Sequence, residues 1–352
     1  MFIVLVILLT ALLAWACQAI RPPPPRICGS PSGPPVTAPR IKLRDGRHLA
    51  YKEHGVSKEV ARFNIIYIHG FRTCRHDVVI AVNLPPGFFE ELGLCVVSYD
   101  RPGYGESDPN PKQTVKSLVL DIEELADQLG LGSKFYVIGN SIGAQLVWGC
   151  LKYIPHRLAG AALLSPVVNY WWQGFPANLL REAYHKELAQ DQWALRVAHY
   201  IPWLTYCWNT QKWFPGASAV VGNFNTLSPH DVQLISKIVR TKTTKAQATQ
   251  QGVFESMHRT LMIGVGNWEF SPLMDLENPF PNNEGSVHLW QGDGDRIVPV
   301  KLQRYIANKL PWIKYHELPG SGHFFPCAVG MGEVVIRALL SGDKKPTFDC
   351  IG

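Results

Sequence analysis

The sequence predicts an α/β fold in which a mostly parallel central sheet is flanked by helices and carries an inserted helical cap. Three observations indicate it. Short apolar runs alternate with helix-like segments along most of the 352 residues, which is typical of parallel βαβ units. One of these runs ends at a serine that lies between two glycines. The alternation then stops over residues 169–285, where the sequence pattern is typical of helices and rich in tryptophan.

The composition excludes several classes of function. An apolar fraction of 46% supplies a core for one large domain. The formal net charge of +6 is modest, and its excess lies near the N-terminus, so no nucleic-acid partner is expected. The eight cysteines show no Cys-x-x-Cys spacing, so we expect no zinc or other metal site and no cofactor.

The N-terminal segment, residues 1–20, is predicted to be a membrane anchor. Residues 2–20 carry no charge, and 19 helical residues at about 1.5 Å each just span a hydrocarbon core. The positive charges that follow it favour a membrane-anchored endomembrane protein whose main domain faces the cytosol. The alternative is a cleaved signal peptide and secretion, since Ala14-Trp15-Ala16 has the small-x-small form.

Residues 21–39 are rich in proline and are predicted to form a semi-rigid linker that acts as a spacer. The α/β core follows over residues 40–168, beginning with a hairpin at 40–55, and resumes over 286–340. A short tail covers residues 341–352.

One helix of the core is clear from its periodicity. Leu118, Ile122, Leu125 and Leu129 recur at steps of three and four, and Gly130 follows as a stop signal.

The cap, residues 169–285, holds seven of the eleven tryptophans. It interrupts the alternation at the point where open α/β sheets bind ligands beyond their strand ends. Most of these tryptophans are expected to fill the small core of the cap, because a helical insertion needs bulky residues. We expect one or two of them to line an apolar pocket.

The motif Gly139-Asn140-Ser141-Ile142-Gly143 lies between the apolar run Phe135–Ile138 and a helical pattern. A serine on a sharp turn between a strand and a helix exposes its hydroxyl at the edge of the sheet. The flanking glycines leave room for that turn. The pattern is weak alone and needs partners further along the chain.

Two such partners follow strand-like runs. Asp295 lies after the run at 287–290, and His323 lies after the run at 313–318. The chain order is therefore serine, aspartate, histidine, which differs from the orders of the chymotrypsin and subtilisin triads. Asp293 competes with Asp295 for the role of the acid.

With these motifs the chain resembles the α/β-hydrolase superfamily, of the AB hydrolase-1 type, over about residues 40–340. His69-Gly70 resembles the oxyanion-loop motif of the family, and Asp100–Asp108 resembles its loop after the next strand. The proline-rich segment and residues 40–47 resemble the corresponding part of plant members whose substrates are unassigned. The resemblance favours Asp295 over Asp293, because Asp295 matches the Gly-x-x-Asp spacing of the family.

The resemblance implies a role for each residue of the site. His323 takes the proton of Ser141, Asp295 orients the histidine, and the backbone N–H groups of Phe71 and Ile142 hold the oxyanion. The residues expected to support the motifs are His69, Gly70, Gly139 and Gly143.

The expected activity is hydrolysis of an ester through an acyl-enzyme, with a small-molecule or lipid ester as partner. A serine nucleophile makes acyl transfer the natural chemistry, whereas an aspartate would form an alkyl ester. An acyltransferase, and a ligand or hormone receptor with slow turnover, are the alternatives. The sequence leaves the oligomeric state open.

Overall fold

The computed structural model describes residues 2–223, 227–237 and 246–341. The predicted tail therefore lies outside the described residues, apart from its first position. In the described part of the chain, eight strands form the sheet: β1 Arg40–Lys42, β2 His48–Gly55, β3 Phe63–Ile68, β4 Leu94–Tyr99, β5 Phe135–Asn140, β6 Leu158–Leu164, β7 Val287–Gly292 and β8 Ile313–Leu318.

The strand order is β1-β2-β4-β3-β5-β6-β7-β8. Strand β2 pairs antiparallel with both β1 and β4, and the pairs from β4 to β8 are parallel. The predicted hairpin and the mostly parallel sheet are both confirmed. Every residue of β4 and β7 is buried, as expected of parallel strands covered on both faces.

The described residues also form helices in the N-terminal segment, the core and the cap. They are α1 Phe2–Ile20, α2 Phe88–Leu92, α3 Val115–Gln128, α4 Ile142–Tyr153, α5 Ala177–Lys186, α6 Ala189–Tyr200, α7 Thr205–Thr210, α8 Ser218–Val221, α9 Pro229–Lys237, α10 Arg259–Val265, α11 Pro272–Asp275, α12 Val300–Lys309 and α13 Met331–Ser341. A π-helical turn over Phe254–His258 leads into α10.

Helix α3 is the helix that the sequence predicted. Thr114 caps its start through a reciprocal pair of hydrogen bonds with Ser117, which satisfies backbone donors that the first turn leaves free. Its apolar stripe is buried on the sheet. Gly130, at φ 67°, takes the left-handed conformation that ends the helix.

The core lies on both faces of the sheet, and β3 shows how. Ile66 and Ile68 pack on one face with residues of α3, α4 and α12. Ile65 and Tyr67 pack on the other face with residues of α2 and α13. Because side chains alternate along a strand, a short apolar run serves both layers.

The chain leaves the sheet after β6 and returns at β7. The described residues between them form α5 to α11 and turns. In this part, α10 packs against α6 and also reaches α4, the helix that follows the nucleophile turn. The insertion is thereby held over the strand ends from which the candidate site is built.

Helix α1 forms over the apolar N-terminal segment. Across the described residues, however, the structure contains no helix with the length and apolarity needed to cross a membrane. The predicted transmembrane anchor is therefore not supported.

The proline-rich linker, residues 21–39, is bound to the domain over part of its length. The backbone N–H of Arg26 donates to the Gln251 carbonyl at 2.9 Å. The N–H and hydroxyl of Thr37 donate to the Glu106 carboxylate at 2.7 and 2.6 Å. These contacts form because residues without a proline ring keep backbone N–H groups, which a carbonyl or a buried carboxylate can accept. The role of the segment as a spacer stays a prediction.

Candidate active site

Ser141 occupies the turn between β5 and α4. Its backbone has φ 55° and ψ −120°, a conformation that costs a non-glycine residue on the order of 1–3 kcal/mol. Both flanking glycines are required sterically. A Cβ at Gly139 would lie 2.6 Å from the Ala144 Cα, and one at Gly143 would lie 2.4 Å from the Ile68 carbonyl oxygen.

The structure brings the predicted serine, histidine and aspartate together. The Ser141 hydroxyl lies 2.9 Å from Nε2 of His323, on the loop after β8. The other ring nitrogen, Nδ1, lies 2.8 Å from Oδ2 of Asp295, on the loop after β7. His323 is 5% exposed and Asp295 7%, so the bond between them is buried, whereas the bond to Ser141 is half-buried at the cavity.

Asp295 is held by further donors on both of its oxygens. Oδ1 accepts from the backbone N–H groups of Ile297 and Val298 at 2.8 and 2.9 Å. Oδ2 accepts from the Gln291 side chain at 2.9 Å as well as from His323. These bonds fix the carboxylate in place without competing for the imidazole.

Asp293, the competing carboxylate, points elsewhere. Its Oδ1 accepts from the backbone N–H of Gly320 at 2.7 Å, at the start of the loop that carries His323. The geometry therefore places Asp295, and not Asp293, against the imidazole.

Burial and neighbouring charges shift the pKa values of His323 and Asp295 in opposite directions. Burial by itself would lower the pKa of the His323 imidazole. The charge of Asp295, the hydrogen bond to it and, to a smaller extent, the charge of Asp231 outweigh burial and raise that pKa above its ordinary value. Burial would likewise raise the pKa of Asp295, but His323 and the two backbone donors lower it. The aspartate is thus ionised, and the histidine readily binds a proton.

Phe71 and Ile142 line the same cavity as Ser141. Ile142 is the first residue of α4, so its N–H has no acceptor within the helix. For the N–H of Phe71, no acceptor is found among the described residues. The two residues predicted to donate to the oxyanion therefore line the cavity that holds Ser141, and their role as donors stays a prediction.

His69 and Arg101 hold the loop at Gly70. The His69 Nδ1 donates to the Gly70 carbonyl at 2.9 Å, and its Nε2 accepts from the Arg101 backbone at 3.0 Å. The Arg101 guanidinium donates to the same carbonyl at 3.0 Å. Burial, aided by the charge of Arg101, holds the pKa of His69 well below its usual range. His69 is thus a neutral residue that supports the loop.

The cavity at Ser141 has a volume of about 290 Å³, and core and cap both line it. Its walls are mostly apolar. The aliphatic and proline residues among them are Ile142, Val167, Val168, Leu195, Ala217, Ala219, Leu261, Val265, Ile297, Val298 and Pro299.

The expectation that a tryptophan lines this cavity is wrong for the described residues. Trp171 stacks on His199 within the cap at 4.1 Å between ring centroids. Trp213 is 84% exposed at the surface. Aromatic residues bury area where partners are available. For Trp171 the partner is another cap residue, whereas Trp213 has most of its surface in solvent.

One corner of the cavity is polar, and sequence reasoning missed it. The Tyr170 hydroxyl donates to the Glu187 carboxylate at 2.6 Å, and burial raises the pKa of Glu187 to about 7. Asp191 accepts from the backbone and hydroxyl of Ser218 at 2.7 and 2.6 Å. These residues lie in the cap, where no motif signals a function.

Sequence reasoning also missed the contact of cap helix α9 with the histidine loop. The Asp231 carboxylate accepts from the backbone N–H of Phe324 at 2.7 Å. Ser228-Pro229-His230-Asp231 carries the signals of a helix start, but a capping pattern does not reveal which distant loop the helix touches.

Comparison with known proteins identifies the family. The model of the alpha/beta hydrolase family matches residues 65–335. The chain belongs to the alpha/beta hydrolase family. The resemblance seen in the sequence and the predicted fold class are thereby confirmed.

This alpha/beta hydrolase is similar to a curated Arabidopsis thaliana protein, "Probable lysophospholipase BODYGUARD 2". The two are 21% identical over 277 residues, which cover 75% of this chain and 55% of the relative. The chain thus spans about half the length of that protein.

Two solved structures share the fold. An esterase from Thermogutta terrifontis superposes with a TM-score of 0.58 at 17% identity, covering 88% of this alpha/beta hydrolase and 100% of that chain. The enol-lactonase from Burkholderia xenovorans LB400 gives 0.56 at 15% identity, covering 86% and 100%. At such identities the likeness establishes the fold alone.

Proposed function

We propose that this alpha/beta hydrolase is a serine-dependent carboxylic ester hydrolase. One observation carries the proposal: the hydrogen-bonded chain from Ser141 through His323 to Asp295 opens into a largely apolar cavity. A serine hydroxyl is a weak nucleophile at neutral pH and needs an adjacent, oriented base. The arrangement supplies both.

In the first half of the reaction, Ser141 Oγ attacks the carbonyl carbon of the ester while His323 Nε2 takes the hydroxyl proton. The negative charge that develops on the carbonyl oxygen is accepted by the N–H groups of Phe71 and Ile142. Asp295 stabilises the imidazolium. His323 then returns the proton to the departing alcohol oxygen, which leaves an acyl-enzyme on Ser141.

In the second half, a water molecule attacks the acyl carbonyl. His323 takes a proton from the water and gives it to Ser141 Oγ as the acyl bond breaks. A carboxylic acid is released, and the free serine is restored. Both halves use the same proton acceptor, so one histidine serves both steps.

The cavity supports an apolar or amphipathic substrate. A volume of about 290 Å³ is near the lower end of the roughly 300–1,000 Å³ of small-molecule sites, so a short or medium apolar chain fills it. The lysophospholipase name of the Arabidopsis thaliana relative supports a lipid ester, and the esterase neighbour supports a simple carboxylic ester.

A panel of p-nitrophenyl esters of increasing acyl length, together with a lysophospholipid, tests this function on the purified chain. We expect a burst of one p-nitrophenol per protein, followed by steady turnover. Product formed only when an alcohol acceptor is added would indicate an acyltransferase instead. Saturable binding without turnover would indicate a receptor.

A further inference from the structure

One helix of the cap, α9, accepts hydrogen bonds from the backbone on both sides of His323. The backbone N–H of Gly322 donates to Nδ1 of His230 at 3.1 Å. The backbone N–H of Phe324 donates to Oδ1 of Asp231 at 2.7 Å. His230 and Asp231 are neighbours in the first turn of α9, and the two N–H groups belong to the residues that flank His323 in the chain.

Asp231 is fully buried, with 0% exposure, and each of its oxygens has a separate task. Oδ2 accepts from the hydroxyl and the backbone N–H of Ser228 at 2.7 and 3.2 Å, while Ser228 Oγ accepts from the Asp231 backbone at 3.1 Å. This is a capping box that stabilises the start of α9. Oδ1 is not needed for the cap, and it reaches across to the histidine loop.

The cap and the loop meet without a gap. A Cβ on Gly322 would lie 2.2 Å from Ser228 Oγ and 2.3 Å from the oxygens of Asp231. A residue with any side chain is therefore excluded at this position. Such close packing fixes the position of the loop relative to α9.

We propose that Asp231, together with His230, is a positioning residue for His323, which holds the backbone on both sides of it so that the imidazole stays aligned between Ser141 and Asp295. This inference rests on the proposed hydrolase function. The proposal makes the cap responsible for part of the catalytic geometry. The three reacting side chains come from the core, whereas the residues that hold the His323 backbone come from cap helix α9. Misplacement of a reacting group by about 1 Å can cost about 10²-fold in rate.

The decisive variant is Asp231→Asn, which keeps the size of the side chain. An asparagine cannot accept from both Phe324 and Ser228, because one of its two terminal atoms is now a donor. We expect kcat to fall about 10- to 100-fold, with KM changed less than about threefold. The signal of the His323 Nδ1 proton in the low-field ¹H NMR spectrum should broaden, since the loop is less firmly held. Loss of the Asp231 charge, which helps to raise the pKa of His323, would by itself move the signal without broadening it.

The matched control is Asp293→Asn. Asp293 also accepts from a backbone N–H of the same loop, that of Gly320, but Gly320 lies three residues before His323 and does not flank it. We expect kcat within about twofold of wild type for this control, because the histidine keeps its clamp.

Two further variants separate positioning from simple stability. Ser228→Ala removes the helix cap but keeps the acceptor for Phe324, so it should lower the melting temperature at least as much as Asp231→Asn while lowering kcat far less. His230→Ala removes only the Gly322 acceptor and should lower kcat several-fold with KM retained. It tests the clamp even where Asp231→Asn does not fold.

Equal kcat losses in Asp231→Asn and Ser228→Ala, in proportion to their losses of stability, would reduce Asp231 to a capping residue and overturn the inference. So would wild-type kcat in both Asp231→Asn and His230→Ala. An absence of ester turnover in the wild-type chain would instead contradict the proposed function, and the two failures are therefore distinguishable.

Discussion

The core and the cap contribute to the candidate site in different ways. The core supplies the three side chains that are proposed to react, on loops that follow β5, β7 and β8. The cap supplies part of the cavity wall, the polar corner at Glu187, and the clamp at Asp231. Chemistry thus depends on the core, whereas fit and alignment depend on the cap. Lost fit should raise KM, whereas lost chemistry and lost alignment should both lower kcat.

The largest expected effect concerns the core. Ser141→Ala removes one hydroxyl from a turn whose backbone is already in place. The rate of ester hydrolysis should fall by on the order of 10³-fold or more, as in other serine triads, while the circular dichroism spectrum stays unchanged. Turnover retained near the wild-type level would show that another residue is the nucleophile.

The second comparison lies within the core. Asp295→Asn leaves the His323 ring without an ionised acceptor and favours the wrong tautomer, so kcat should fall about 10²-fold or more. Asp293→Asn, which exchanges the neighbouring carboxylate, should have little effect. If the two variants were equally impaired in steady-state assays, the assignment of the acid would be incorrect.

Much of this core site was predictable because its signals are local. Two glycines and an apolar strand mark Ser141, and an apolar strand precedes both Asp295 and His323. Their order along the chain is then enough to predict that the three side chains meet, because parallel strands bring their carboxyl ends to one edge of the sheet.

The contribution of the cap was not predictable, because it depends on contacts between distant parts of the chain. Asp231 lies 93 positions before its partner Phe324, and no periodicity relates them. The tryptophans were misleading because bulk fixed neither burial nor the partner: Trp193, Trp203 and Trp213 are exposed, and Trp172 packs against Trp268 away from the cavity.

The pH dependence tests the electrostatics of the core. His323 must be neutral to accept the proton of Ser141, so kcat/KM should fall about tenfold per pH unit below its pKa. Because Asp295 raises the pKa of His323, the midpoint should lie above the ordinary value of about 6.5. In Asp295→Asn, burial is no longer opposed by that charge, and the midpoint should move to lower pH. A wild-type midpoint well below 6.5 would contradict this account of the pair.

The smallest expected effect concerns the cap wall. Leu195→Ala removes apolar surface from the cavity without touching the reacting groups. We expect KM for longer acyl chains to rise several-fold, since each buried methylene contributes about 0.8 kcal/mol, with kcat almost unchanged. The check is a chain-length series run on wild type and variant. A loss confined to kcat would mean that this part of the cap acts on alignment rather than on fit.

The central claim is that Ser141 carries the acyl group. The most direct measurement is reaction of the purified chain with a fluorophosphonate, followed by intact-protein and peptide mass spectrometry. The structure predicts one adduct per chain, located on Ser141 and absent from Ser141→Ala. An adduct on a different residue, or ester turnover that continues in a chain that the reagent leaves unmodified, would contradict it.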